Sequence, residues 1–240
     1  MPSKKCFCPV THVIFDCDGT LIDSEVIYLR AVQEIVDRFG KTYSTTDHAR
    51  HLGMPVDTFS QAIVQEMNLP IKKEEFAEIF QSISNRYLGN VPLLPGVKDL
   101  ILHLHEYRIP FCIATSSGRE LFKVKAKPHK DIMLAFHHVV CGDDPQLPIG
   151  RGKPKPDIFL LAASRFNPPA DPKKCLIFED SPAGLRGGVE AGSQVVFIPQ
   201  PHVTKEQRKG ATLVLKSMTE FKPEHFGLPA FGNCSKFEFG

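Results

Sequence analysis

Val10-Thr-His-Val-Ile-Phe15, followed at once by Asp16-Cys-Asp-Gly-Thr20, decides how the rest of the chain is read. The first segment is short, β-branched and apolar, which is the composition of a buried strand. The second stops it abruptly with a polar loop. From Ser24 the period changes. Leu29, Val32, Ile35, Val36 and Phe39 recur at helical spacing until Gly40 ends the run. Further helical stretches are expected over 46–51, 56–67 and 73–87, and no strand pattern intervenes between Ser24 and Asn90. An all-helical block directly after one strand reads as an insertion, not as the start of a βαβ series.

Val91-Pro-Leu-Leu-Pro-Gly96 breaks that block, and alternation begins. Helices are expected over 97–107, 119–125, 157–166 and 182–191. Strands are expected over 110–114, 139–141, 175–178 and 194–198, with a last short one at 213–215. Such alternation implies parallel strands with helices on both faces. The expected fold is therefore α/β, a doubly wound parallel sheet of Rossmann-like type with a small α-helical domain inserted. The core domain is assigned to 1–23 and 91–240, and the helical domain to 24–90. From Gly232 onward no pattern is visible.

A chain of 240 residues is long enough for a core domain carrying a smaller insertion. Hydrophobic residues make up 42% and charged residues 23%, which excludes a disordered or fibrous chain. The formal net charge is +2, and Lys4-Lys5 and Lys72-Lys73 are too short to form a basic stripe, so no nucleic-acid polymer is expected as a partner. No segment is apolar over a bilayer's thickness, and Met1 to Val10 lacks a signal's apolar stretch. The expected compartment is the cytoplasm, with no membrane partner. The seven cysteines are scattered and form no CxxC pair, which argues against a disulfide framework or zinc site. Cys17, Cys112, Cys141 and Cys175 lie in or beside strands and read as buried thiols.

Doubly wound sheets bind ligands outside the carboxyl ends of their strands. Four sites at that edge carry unusual polar residues: Asp16 and Asp18, Thr115-Ser-Ser117, the Gly152-Lys-Pro154 region, and Glu179-Asp180. Paired carboxylates can divide labour as nucleophile and general acid. A carboxylate that attacks phosphorus forms an aspartyl-phosphate, which water then cleaves. Asp-Gly is also a common turn dipeptide. Four carboxylates at one locus would repel each other without a cation, and their hard oxygens suit Mg²⁺. Asp180 or Ser181 would equally cap the following helix, and both roles are compatible. The Thr115 hydroxyl suits a phosphate clamp or an N-cap. Lys153 stands in a loop stiffened by two prolines, where it would neutralise a carboxylate and phosphoryl oxygens; most lysines are merely solvated.

Taken together, Asp16-Cys-Asp-Gly-Thr-Leu21, Ala114-Thr-Ser116, Gly152-Lys-Pro-Lys-Pro-Asp157 and Phe178-Glu-Asp-Ser181 resemble, in order and spacing, the haloacid dehalogenase-like hydrolases. The resemblance covers about Thr11 to Pro229. It implies a Mg²⁺-dependent phosphatase of small phosphate monoesters. Asp16 is then the nucleophile and a metal ligand. Asp18 is the general acid/base, with its backbone carbonyl on the metal. Thr115 and Ser116 bind phosphate, Lys153 serves both catalysis and phosphate binding, and Glu179 and Asp180 are the acidic pair at the metal. The helical insertion resembles a cap, with His51-Leu-Gly-Met-Pro55 where family members place a specificity loop. The cap alone can close such a site, so a monomer is expected. A closer likeness within the family runs through Ala114-Thr-Ser-Ser117, Gly142-Asp-Asp-Pro145, Pro156-Asp-Ile-Phe159 and Phe226-Gly-Leu-Pro229, and implies pseudouridine 5′-phosphate as candidate substrate. A sugar or polyol phosphate phosphatase, a phosphomutase and a non-enzymatic binding protein are the alternatives. Gly118 and the longer loop Gln146 to Gly152 depart from that likeness.

Overall fold

β1 (His12–Phe15) is buried from Val13 to Phe15 because it lies in the interior of a parallel sheet, with a strand on either side. The structure, a computed structural model, describes residues 7–51, 54, 56–201 and 203–232. The readings made above for Cys6, for Leu52, Gly53 and Pro55 of the proposed specificity loop, and for the tail from residue 233, including Cys234, lie outside the described residues.

The chain divides into two compact units. One runs to Ile22 and resumes at Leu93; the other is Asp23–Pro92. The second contains α1 (Ser24–Asp37), α2 (Thr45–His51), α3 (Val56–Glu66) and α4 (Lys73–Leu88). Its core is the apolar stripe of α1, namely Val32, Ile35 and Val36, packed with Phe59, Ile63, Phe76 and Phe80 from α3 and α4. Tyr43 and His51 join this core. The Tyr43 hydroxyl lies 3.0 Å from His51 Nδ1, and Met54 beyond it is exposed.

The first unit holds the sheet. Its other strands are β2 (Phe111–Ala114), β3 (Val139–Val140), β4 (Cys175–Glu179), β5 (Gln194–Phe197) and β6 (Leu213–Val214). All neighbouring pairs are parallel, in the order β3-β2-β1-β4-β5-β6. Its helices are α5 (Val97–Glu106), α6 (Arg119–Ala126), α7 (Lys130–Met133), α8 (Asp157–Ser164) and α9 (Pro182–Glu190). The four-residue α7 lies in a segment where the sequence predicts no helix. Alternation along the strands sends successive side chains to opposite faces. On one face Ile14, Cys112, Ala114, Ile177 and Val195 pack with Ile158, Phe159 and Ala162 of α8 and Leu185 of α9. On the other face the aromatic rings meet. Phe15 stacks on Phe178 at 4.9 Å between centroids and meets Phe111 and Phe136 edge-on, while Phe178 meets Phe221 edge-on. Cys17, Cys112, Cys141 and Cys175 are buried free thiols, and Cys8 is an exposed one.

The strand order positions the site. The chain moves outward from β1 to β2 and β3, then returns past β1 to β4, β5 and β6. The order therefore reverses between β1 and β4, which opens a crevice at their carboxyl ends. The register His12↔Cys175 to Phe15↔Phe178 brings the residues after β1 level with the end of β4.

Phe15→Ala, which would empty the centre of the aromatic face, is expected to destabilise the first unit by about 3–5 kcal/mol. Leu134→Ala, at a position 72% exposed, is expected to change stability by less than about 0.5 kcal/mol. Urea unfolding of the two variants measures the contrast.

Candidate active site

Asp16 is the first residue beyond β1, and its N–H donates to the Phe178 carbonyl at 3.0 Å. That bond continues the β1–β4 ladder by one step, so Asp16 stands at the reversal point of the sheet. The loop that follows folds back tightly. The N–H groups of Leu21 and Ile22 both donate to the Cys17 carbonyl, at 2.9 and 3.1 Å, and the Gly19 N–H donates to the Ile22 carbonyl at 2.9 Å. Gly19 has φ of 77°, a left-handed conformation that favours glycine. A Cβ at this position would also overlap the Asp180 carboxylate.

At the end of β4 the Glu179 side chain turns back on its own loop. Oε2 accepts from the Asp180 N–H at 3.2 Å, the Ser181 N–H at 3.1 Å and the Ser181 hydroxyl at 3.0 Å. Ser181 in turn accepts from the Gly184 N–H at 3.0 Å and so caps α9. Asp180 is not that cap. The Glu179 carboxylate lies so close to the first turn of α9 that a side chain at Gly184 would occupy its place.

Lys153 comes from the long connection between β3 and α8. Its ammonium donates to Asp16 Oδ1 and lies 2.6 Å from Glu179 Oε1, with the Phe159 ring centroid 5.2 Å away. Carboxylate oxygens of Asp16, Glu179 and Asp180 all lie within 4.8 Å of one another, and all three residues are buried. The Lys153 ammonium is shared between two of the three carboxylates, Asp16 and Glu179. Burial pushes the Asp16 carboxyl up to about 7; Lys153 pulls it down, and Glu179 and Asp18 push it further up. Burial alone would lower Lys153, but Asp16 and Glu179 outweigh it and hold the ammonium above the usual lysine range. The donor set is all carboxylate oxygen. It fits a hard divalent cation, and Asp16, Glu179 and Asp180 are the side chains able to hold one.

The remaining predicted residues sit around this cluster. Thr115 is fully buried at the end of β2, where its N–H donates to the Val140 carbonyl at 3.0 Å. Its hydroxyl oxygen accepts from the Ser117 N–H at 3.1 Å, and Ser116 is exposed. The Asp18 carboxylate is outside the three-residue acidic group. It accepts from Lys125 Nζ at 2.6 Å and from the Ser117 hydroxyl at 2.8 Å.

Sequence reasoning did not single out Lys125, in a run of lysines that reads as a solvated face. The signal was its place on α6. Lys125 follows Leu121 by four residues and Phe122 by three, so it shares their apolar side of the helix. It is the one buried residue of α6, 1% exposed.

Residues 10–192 match the family model of the haloacid dehalogenase-like hydrolases. The chain belongs to that family, and it is a phosphoric monoester hydrolase acting on small phosphorylated molecules. Among curated relatives it is 41% identical to a probable pseudouridine-5′-phosphatase of Drosophila melanogaster, over 95% of this chain and 99% of the relative. It is 37% identical to (DL)-glycerol-3-phosphatase 2 of Arabidopsis thaliana, over 92% of this chain and 93% of the relative. Among solved structures, a haloacid dehalogenase family hydrolase from Deinococcus radiodurans with bound phosphate and sodium superposes with a TM-score of 0.79. It is 26% identical, with 94% of this chain and all of that one covered.

Gly184→Ala is expected to displace the Glu179 carboxylate and lower stability by about 1–3 kcal/mol. A thermal melt checks this, and an unchanged midpoint would place the Glu179 carboxylate elsewhere.

Proposed function

We propose that the chain is a Mg²⁺-dependent phosphatase that works through an aspartyl-phosphate on Asp16, with pseudouridine 5′-phosphate as the candidate substrate. The observation that carries the mechanism is the placing of Asp16: a buried carboxylate at the sheet's reversal point, paired with Lys153 and grouped with Glu179 and Asp180. The carboxylates of Asp16, Asp180 and Glu179 and the backbone carbonyl of Asp18 would hold the ion. When bound, Mg²⁺ neutralises the excess negative charge and that of the substrate's phosphate group.

Lys153 and the Thr115–Ser116 turn bind and orient the phosphate. Asp16 attacks phosphorus, and the bond to the ester oxygen breaks. Protonated Asp18 gives its proton to the leaving alkoxide. Asp18 then takes a proton from water as the water attacks the aspartyl-phosphate, which frees inorganic phosphate and restores Asp16. Charge stabilisation and positioning supply most of the acceleration, because phosphoryl transfer asks little other covalent chemistry of the protein. The helical unit acts as a cap that chooses the substrate, and the protein works as a cytoplasmic monomer. No described helix is long and apolar enough to cross a membrane.

The relative named a glycerol-3-phosphatase favours a second reading, in which the same chemistry serves a polyol or sugar phosphate. Phosphate release from pseudouridine 5′-phosphate, uridine 5′-phosphate, glycerol 3-phosphate and hexose phosphates, with Mg²⁺ and with EDTA, separates the two. Release from pseudouridine 5′-phosphate alone, lost in EDTA, is the expected result. Preference for a polyol or sugar phosphate keeps the mechanism and discards the substrate. Folded protein that forms phosphosugar isomers without free phosphate would indicate a mutase. Asp16→Asn is expected to lower turnover by about 10⁴-fold or more while the melt shows a folded protein. Retained activity would remove Asp16 from the nucleophile's role.

A further inference from the structure

The two carboxylates of the Asp16-Cys-Asp18 turn are each met by a different buried lysine. Lys153 pairs with Asp16, and Lys125 pairs with Asp18. We propose that Lys125 is the positioning residue of Asp18, fixing its carboxylate for proton transfer and linking it, through Ser117, to the phosphate-binding turn at Thr115. This rests on the reading of Asp18 as the general acid/base.

Three groups close a ring. Lys125 Nζ donates to Asp18 Oδ1 at 2.6 Å and to Ser117 Oγ at 2.8 Å, and the Ser117 hydroxyl donates to Asp18 Oδ2 at 2.8 Å. Both carboxylate oxygens are therefore held, one on each side, and the plane of the group is fixed. The Ser117 N–H also bonds the Thr115 hydroxyl oxygen at 3.1 Å. Asp18 and Thr115 thus belong to one hydrogen-bonded unit, although they lie on loops after different strands. The Asp18 carboxylate, held in this ring, is not one of the three grouped carboxylates of Asp16, Glu179 and Asp180.

The site of Lys125 argues that this arrangement is specified. Burying an ammonium is costly unless it is paired and hydrogen-bonded. Lys123, Lys127 and Lys130 on the same segment stay wholly or partly in water. Lys125 alone is turned inward, and its ammonium meets a carboxylate that is itself only partly exposed. Positioning matters for such a group because the acid must be within hydrogen-bond reach of the leaving oxygen. A misplacement of about 1 Å can cost about a hundredfold in rate.

Leaving-group dependence tests the proposal. An alkoxide needs a proton to leave, whereas p-nitrophenolate leaves without one. For Lys125→Met, turnover of the alkyl phosphate that the wild type hydrolyses fastest, from among pseudouridine 5′-phosphate, glycerol 3-phosphate and fructose 1-phosphate, is expected to fall about a hundredfold, with KM changed by less than about threefold. The pre-steady-state burst of p-nitrophenolate from p-nitrophenyl phosphate is expected to keep its rate within about threefold of wild type, because that step asks no proton of Asp18. Equal losses on both substrates would make Lys125 merely structural and overturn the proposal, as would an unchanged alkyl turnover. Asp18→Asn, run in parallel, separates the two levels. If it leaves alkyl turnover intact, the acid/base reading of Asp18 fails; if it abolishes turnover while Lys125→Met does not, only the role of Lys125 fails. Should Lys125→Met not fold, Ser117→Ala takes its place. The same selective loss, about tenfold, is then expected, and its absence overturns the proposal.

Discussion

The site depends on a surplus of buried negative charge at the carboxyl ends of β1 and β4. Asp16, Glu179 and Asp180 are all buried, and Lys153 is the ammonium set against Asp16 and Glu179. Burial, with a smaller push from the neighbouring Glu179 and Asp18 carboxylates, raises Asp16 to about 7 against the pull of Lys153. A carboxylate that is to attack phosphorus, the role proposed for Asp16, must instead be ionised. Positive charge opposes that rise: Lys153 supplies some, and the local structure holds the three carboxylates close enough together that they could also hold a cation. Glu179 is spread over two N–H groups, a hydroxyl and Lys153. Asp180 is seated against Gly19, where a side chain would not fit.

The fold supplies this arrangement from backbone geometry. A parallel sheet whose strand order reverses beside its first strand leaves two adjacent strand ends with no crossover passing over them. The loop after β1 and the loop after β4 then face one space. The connection after β2 brings Thr115 and Ser117, and the connection after β3 brings Lys153. Behind them the Phe15–Phe178 stack ties the two central strands together immediately below the carboxylates. Small shifts in that packing would be felt at the site, because close-packed interiors transmit strain.

Much of this was legible in the sequence, for identifiable reasons. Val13 to Phe15 are apolar on both faces, so the segment reads as a strand covered on both sides, and the Ser24–Asp37 stripe reads as a helix by its period. Asp16, Thr115 and Glu179-Asp180 stood out because polar residues are conspicuous where an apolar run stops, and Lys153 because two prolines stiffen its loop. The limits of the reading are equally physical. Strand order was not legible, since alternation of strands and helices fixes parallel direction but not which strand lies beside which. The turn Lys130–Met133 was missed because four residues carry too little of a period to be read. Lys125 was passed over because charge is ordinarily a mark of the surface, and its partner Asp18 lies 107 residues away. Only its position on the apolar side of α6 distinguished it.

The core and the helical unit also differ in what their residues can specify. In the core, the contacts around the candidate site are specific: Asp16 pairs with Lys153, Asp18 sits in a ring with Lys125 and Ser117, and the Thr115 hydroxyl accepts from the Ser117 N–H. These contacts join side chains of the core to one another, and they account for how those side chains are held. On the mechanism proposed above, discrimination between a nucleotide-like and a polyol ester is left to residues outside this set. In the helical unit, apolar periodicity specifies Val32, Ile35, Phe59, Phe76 and their neighbours as packing, which accounts for its fold and for no chemistry. Recognition falls to the positions that neither packing nor phosphoryl transfer determines. Such positions obey no period and need no fixed residue type, which is why the reaction class can be read from this chain more readily than the identity of its substrate.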